Sequence, residues 1–192
     1  MADFFSAYFD YTHDTEVPAF FHRWAALSGL GAYLGRGFCF HHGHFKVHPN
    51  MYCMLIGSPG TRKSTAIKLM KSLMHRAGYH TIAADKTTKE KFLLDLSGED
   101  TGEAQDILTS NLFGDPTDAD DKEMLIAADE FNDFIGLGNL EFISLLGTLW
   151  DYNGIYRNRI KTGKSVSIPN PTVSILGGNT PTGSYRDWET LC

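Results

Sequence analysis

The stretch that most constrains the fold is residues 51–77, centred on Gly57-Ser58-Pro59-Gly60-Thr61-Arg62-Lys63-Ser64. Residues 51–56 are mostly apolar and read as a buried strand, and the glycine-bearing loop follows at once. Beyond it Ala66, Ile67, Leu69, Met70, Leu73, Met74 and Ala77 recur at three- and four-residue steps, one face of a helix. Gly78 stands where a helix-terminating glycine belongs. The start of such a helix offers unpaired N–H groups and a favourable dipole to an anion. Gly57 and Gly60 let the loop backbone bend around phosphates without a clashing side chain. Lys63 is expected to reach the β- and γ-phosphates of a nucleotide and Ser64 to coordinate magnesium, with Ser58, Pro59, Thr61, Arg62 and Thr65 completing the contact loop. Arg62 stands where this pattern usually has glycine. Its amide still donates if its backbone is helical, with the side chain pointing outward. A chance glycine-rich turn is the alternative.

A second apolar run, residues 124–128, ends in Asp129-Glu130, 65 residues after Ser64. Ligands of open α/β sheets bind at the C-terminal edge of such strands. Asp129 is expected to hold the magnesium ion through water, and Glu130 to orient and deprotonate the water that attacks the γ-phosphate. A third apolar run, 173–178, ends in Asn179, expected to sense the γ-phosphate or hold the attacking water. Otherwise Asn179 merely begins a turn with Pro181 and Gly183.

Composition bounds the rest. The 192 residues suffice for one domain, 42% hydrophobic and 21% charged as in ordinary globular chains. A net charge of -6 excludes a broadly nucleic-acid-seeking protein, so any polyanion contact has to be local. Residues 85–133 hold 15 acidic and 4 basic side chains, whereas residues 152–186 hold 5 basic and no acidic ones, which suggests two faces with different tasks. Cys39, Cys53 and Cys192 lack disulfide or metal spacing, no run is long enough to cross a bilayer, and no secretory pattern opens the chain. These features point to the cytoplasm and to no membrane partner.

Residues 2–11 and 18–35 read as helices, Pro18 suiting a first turn and Phe20, Phe21, Trp24, Leu27, Leu30 and Leu34 forming the expected buried face. Residues 36–49 read as a β-hairpin. Its His41, His42, His44, His48 and Cys39 raise a metal site, but alternation divides them between two faces, and a solvated hairpin edge fits better. Residues 79–84 read as a strand, Thr87 to Glu90 as a capping box opening a helix through Leu96, and 98–122 as an acidic solvated connection. An amphipathic helix is expected over 139–150, packing through Leu140, Ile143, Leu146, Leu149 and Trp150. Residues 155–168 then form a hairpin carrying Arg157, Arg159, Lys161 and Lys164, either a grip on nucleic-acid phosphates near the nucleotide site or a soluble surface ribbon.

Gly57 to Ser64, Leu125-Ile126-Ala127-Ala128-Asp129-Glu130 and Ser174-Ile175-Leu176-Gly177-Gly178-Asn179 resemble Walker A, Walker B and sensor-1 elements. With the helical leader, their order resembles phage and mobile-element P-loop ATPases of the replicative helicase or primase-helicase type. The loop is also similar to that of minichromosome-maintenance helicases, which lack the same glycine. The resemblance implies an α/β fold: a three-layer, RecA- or AAA+-like P-loop NTPase core with a mainly parallel sheet over residues 49–183, after a helical leader and β-hairpin over 1–48. It further implies phage origin, hence host cytoplasm, with ATP and Mg as cofactors, a homo-oligomeric ring, and ATP-driven movement on single-stranded DNA as part of replication. A regulatory ATPase without translocation and a DNA-packaging ATPase are the alternatives. Residues 184–192 match nothing in the pattern, which reads as a core incomplete at its C-terminus, and Arg186 is no candidate for an arginine finger.

Overall fold

A computed structural model describes residues 3–98, 122–159 and 165–181. At its centre three strands run parallel in the order β3-β7-β4: β3 (Tyr52–Ile56), β7 (Thr172–Asn179) and β4 (Glu123–Ala128). The molecule is thus mixed α/β with a parallel sheet. Register pairs Ile56 with Asn179 and Ala128 with Gly177, so the C-terminal ends of all three strands meet at one edge. Every residue of β7 is buried, as expected of a central strand covered on both faces.

Helices α1 (Phe4–Thr12) and α2 (Ala19–Leu34) precede the sheet. Asp3 caps α1 by accepting the Ser6 N–H at 2.8 Å, and Pro18 occupies the cap position of α2. The buried face of α2 differs from the expected one. Of the large apolar side chains only Phe21 is buried, and Phe20 is 63% exposed; the rest of the inward stripe is His22, Ala25, Ala26, Ser28, Gly29 and Ala32. Small residues are needed because α2 lies close on the sheet and on α3 (Lys63–Arg76): Ser28 donates to the Ile175 carbonyl at 3.2 Å, and a Cβ on Gly29 would stand 2.3 Å from the Met70 sulfur. Helix α3 ends as its sequence predicts. Gly78 takes φ +85, its N–H bonding the His75 carbonyl and that of Tyr79 the Met74 carbonyl.

The other face of the sheet carries α4 (Lys89–Ser97), α5 (Phe131–Ile135), α6 (Leu140–Leu149) and the hairpin of β5 (Ile155–Arg159) with β6 (Ser165–Pro169). Three expectations need correction here. Residues 79–84 form no strand; Ile82 makes a single parallel bridge to Leu125 on the free edge of β4. The α4 cap is Thr88, which accepts from Lys91 N–H at 3.2 Å, so the capping box falls one residue off and Glu90 cannot close it. In α6 the buried side chains are Phe142, Leu145, Leu146 and Leu149, while Leu140 and Trp150 are exposed, because the inward stripe is the one that sets Phe142 against Phe92 and Phe134. Helix α5 was not expected. The connection over 98–122 falls almost wholly outside the described residues.

Residues 36–49 do form a hairpin, β1 (Phe40–His42) with β2 (Phe45–Val47), closed by Gly43-His44 with Gly43 at φ +60. All six strand residues are exposed. Among the described residues no group of three or more His, Cys, Asp and Glu side chains is placed to hold a metal ion, and no helix is long and apolar enough to cross a membrane.

Candidate functional site

The apolar run of β3 stops at Ile56 because Gly57 turns the chain over the sheet edge. The Gly57 N–H then bonds the Asn179 carbonyl at 3.3 Å, tying the loop to the tip of β7. Gly60 takes φ +84 and Arg62 φ +62, ψ +21. The backbone at Arg62 is therefore left-handed and not right-handed helical as expected; it adopts the conformation that glycine takes without strain. Its side chain does point outward, to an ion pair with Glu16. The helix proper opens at Lys63. Among the described residues, the N–H groups of Gly60, Arg62, Lys63 and Ser64 have no hydrogen-bond partner, so four donors cluster at the start of α3.

Lys63 is 7% exposed, and its ammonium lies inside the loop. Its Nζ donates to the Gly57 carbonyl at 2.6 Å, the Ser58 carbonyl at 3.0 Å and Thr61 Oγ1 at 3.3 Å. No carboxylate among the described residues pairs with it. A buried cation satisfied only by neutral oxygens, beside four free amides, makes a concave surface of positive potential suited to phosphate oxygens. Pro59 and Thr65 are exposed, one on the loop and one in the first turn of α3.

Asp129 and Glu130 follow the last residue of β4, and β7 lies between that strand and β3. The lysine loop and the acidic pair thus share one edge but sit two strands apart, about 10 Å laterally. Asp129 is half-buried, and its Oδ2 accepts from Lys68 Nζ at 2.7 Å. That hydrogen bond, then the charge of Asp129, holds the Lys68 ammonium above the usual lysine range. Lys68 follows Ser64 by one helical turn, so Ser64, Lys68 and Asp129 belong to the same side of α3. Glu130 is exposed, with extended backbone just before α5, and its side chain caps nothing. Asn179 is 2% exposed, its Oδ1 accepting the Thr180 N–H at 2.9 Å.

Two contributors were missed. No local signal marks Lys68, whose role follows from facing Asp129 in space. Gly178 could have been found because a glycine inside a strand marks a close approach. A Cβ there would lie 2.5 Å from the Asp129 carbonyl oxygen and 3.1 Å from Ile67 Cδ1. The glycine therefore lets the acidic tip close against β7 and α3.

In the later hairpin Arg157 and Arg159 are exposed and pair across with exposed Ser167 and Ser165, while Val166 and Ile168 face the core. Lys161 and Lys164 lie outside the described residues. The hairpin is rooted at the start of β7, where Asn170 N–H donates to the Gly154 carbonyl at 2.8 Å. This is the far end of the strand from Asn179, so the root does not adjoin the loop as expected. A separate cleft of about 370 Å³ lies by the start of α4, lined by Lys86, Lys89, Glu90, Asp133 and Asn139 among others, and contains none of the loop residues. The chain matches no model of a known protein family and no curated protein.

Proposed function

We propose that the chain binds ATP on residues 57–65 and hydrolyses it, as the motor module of a phage-type P-loop replication helicase acting on single-stranded DNA. The observation that carries this reading is the buried Lys63 ammonium beside four unpaired amides, at the same edge where β4 delivers Asp129 and Glu130 and β7 delivers Asn179. In this reading Lys63 and the amides hold the β- and γ-phosphates. Glu130, exposed and free of a cap, takes the proton of the attacking water, and Asn179 at the central tip orients that water. The donor set also suits a small hard cation, since a hydroxyl at Ser64 and a carboxylate at Asp129 lie on one side of α3. Ser64 and Asp129 would hold Mg, which supplies neutralisation of phosphate charge when bound. Lys68 is the ligand-free partner of Asp129 and has to release it.

Lys63→Ala is expected to abolish ATP binding in a fluorescent-nucleotide titration. Glu130→Gln is expected to leave binding intact and to lower turnover by about 10²- to 10⁴-fold. Undiminished turnover in Glu130→Gln removes Glu130 as the base. Single-stranded DNA is expected to stimulate turnover, and alanine at Arg157, Arg159, Lys161 and Lys164 to remove the stimulation. Turnover indifferent to DNA favours a regulatory ATPase.

A further inference from the structure

Between Glu16 and Asp85 the chain carries no acidic residue, although its net charge is -6. The β1–β2 hairpin lies inside this stretch, and its two faces differ. Residues directly opposite share a face, so Phe40 with Val47 and His42 with Phe45 make one side, and His41 with Lys46 the other. Phe40 is 67% and Phe45 73% exposed, the two most exposed Phe, Tyr or Trp rings among the described residues. The Phe40 and His42 rings stand near-parallel, 6.4 Å apart with planes 23° from each other. That gap is close to two steps of the ~3.4 Å base spacing along a strand.

The ribbon has a fixed root. Arg36, just before it, donates its backbone N–H to Glu123, and its guanidinium reaches the Tyr152 carbonyl, Asn153 Oδ1 and Thr172 Oγ1. These partners lie at the start of β4 and β7 and at the root of the β5–β6 hairpin. The aromatic ribbon and the arginine ribbon are therefore anchored to one another at the sheet edge opposite the lysine loop.

We infer that the β1–β2 hairpin is a stacking site for the bases of a single-stranded nucleic acid, with Phe40, Phe45 and His42 as the platform. Rings of Phe and His accept bases of any identity, and a ribbon without carboxylates does not repel the backbone. A second copy of the chain is a poorer occupant. The ribbon's two rings, 67% and 73% exposed, offer on the order of 300 Å², against the ~800 Å² per partner of a stable interface. The inference does not depend on ATP chemistry.

The test is fluorescence anisotropy of labelled dT20 and U20 with the full chain, without nucleotide, at low and high salt. Phe40→Ala/Phe45→Ala is expected to weaken binding about tenfold for each ring lost, equally at both salts, because stacking involves no counterion release. Arg157→Ala/Arg159→Ala is expected to weaken it at low salt only. Both rings are exposed, so the melting temperature of the aromatic variant should match that of the parent. Unchanged affinity of the aromatic variant overturns the site. So does an equal loss on an abasic strand of the same length, or a loss of self-association in sedimentation in place of a loss of binding.

Discussion

The two faces of the central sheet solve the packing problem in opposite ways. Against α2 and α3, Leu55, Ile67, Met70, Leu125 and Leu176 are interleaved with small groups, Ala25, Ala26, Ala32, Ala66 and Ala127, and Gly29 and Gly178 let backbone and side chains close in. Against α4, α5, α6 and β6 it is made by large ones, Phe92, Phe134, Phe142, Leu149 and Ile168. The first face sets a distance: α3 has to start beside the strand tips if its free amides and Asp129 are to share an edge. The second face only fills volume. Additions should therefore hurt the first face and deletions the second.

The largest effect is expected from a deletion. Phe142 is fully buried between the rings of Phe92 at 5.3 Å and Phe134 at 5.7 Å, and Phe142→Ala should cost about 3–5 kcal/mol in urea unfolding. A loss under about 1 kcal/mol would show that this face is not the filled one. Next comes an addition on the other side. Gly178→Ala drives a methyl into the Asp129 carbonyl and should cost about 1–3 kcal/mol. It should also lower ATP turnover more than ATP affinity, since it moves the acidic tip and spares the lysine loop. The control is Gly147→Ala on α6, where a Cβ meets nothing within 4 Å and a gain of up to about 1 kcal/mol is expected.

This contrast also explains what the sequence disclosed. The strands β3, β4 and β7 and the helix α3 were legible because each is an apolar or periodic run bounded by glycine or charge. The α2 face was not, because the largest apolar side chains were assumed to point inward. How closely two elements approach is a tertiary property that a hydrophobic pattern does not encode. Strand order was hidden for a related reason: nothing local places β7 between β3 and β4. Within the site, the lysine loop, Asp129-Glu130 and Asn179 could be read from residue type and spacing. Lys68 could not, because its role follows from facing Asp129 in space. Thr88 displaced Thr87 as a cap because adjacent threonines offer two registers, and the start of the helix chose.

A smaller effect tests the loop itself. Left-handed backbone costs a non-glycine residue about 1–2 kcal/mol, and the greater unfolded freedom of glycine returns about 0.4–1 kcal/mol of that. Arg62→Gly should therefore raise stability by under about 1 kcal/mol and keep ATP binding, measured by denaturation and nucleotide titration. A clear destabilisation would mean that the exposed Arg62–Glu16 pair matters more than the strain.

The mildest effect concerns the margin of the close-packed face, where α1 meets α2 through polar contacts. His22 is buried, with Nδ1 3.0 Å from the Tyr8 hydroxyl and Nε2 2.6 Å from Thr15 Oγ1. Burial disfavours its charged form and lowers its pKa below the ordinary 6.5. Below pH 6.5 the unfolded chain has gained a proton at this residue that the folded chain still refuses, so acidification favours unfolding. The stability due to neutral His22 is complete above that pH and is lost as the pH falls through the depressed folded value. Melting curves from pH 7.5 to 5 should show the parent losing stability faster than His22→Gln, whose side chain does not titrate. Parallel slopes would mean that α1 separates from α2 before the imidazole is protonated, placing the boundary of the close-packed face at α2.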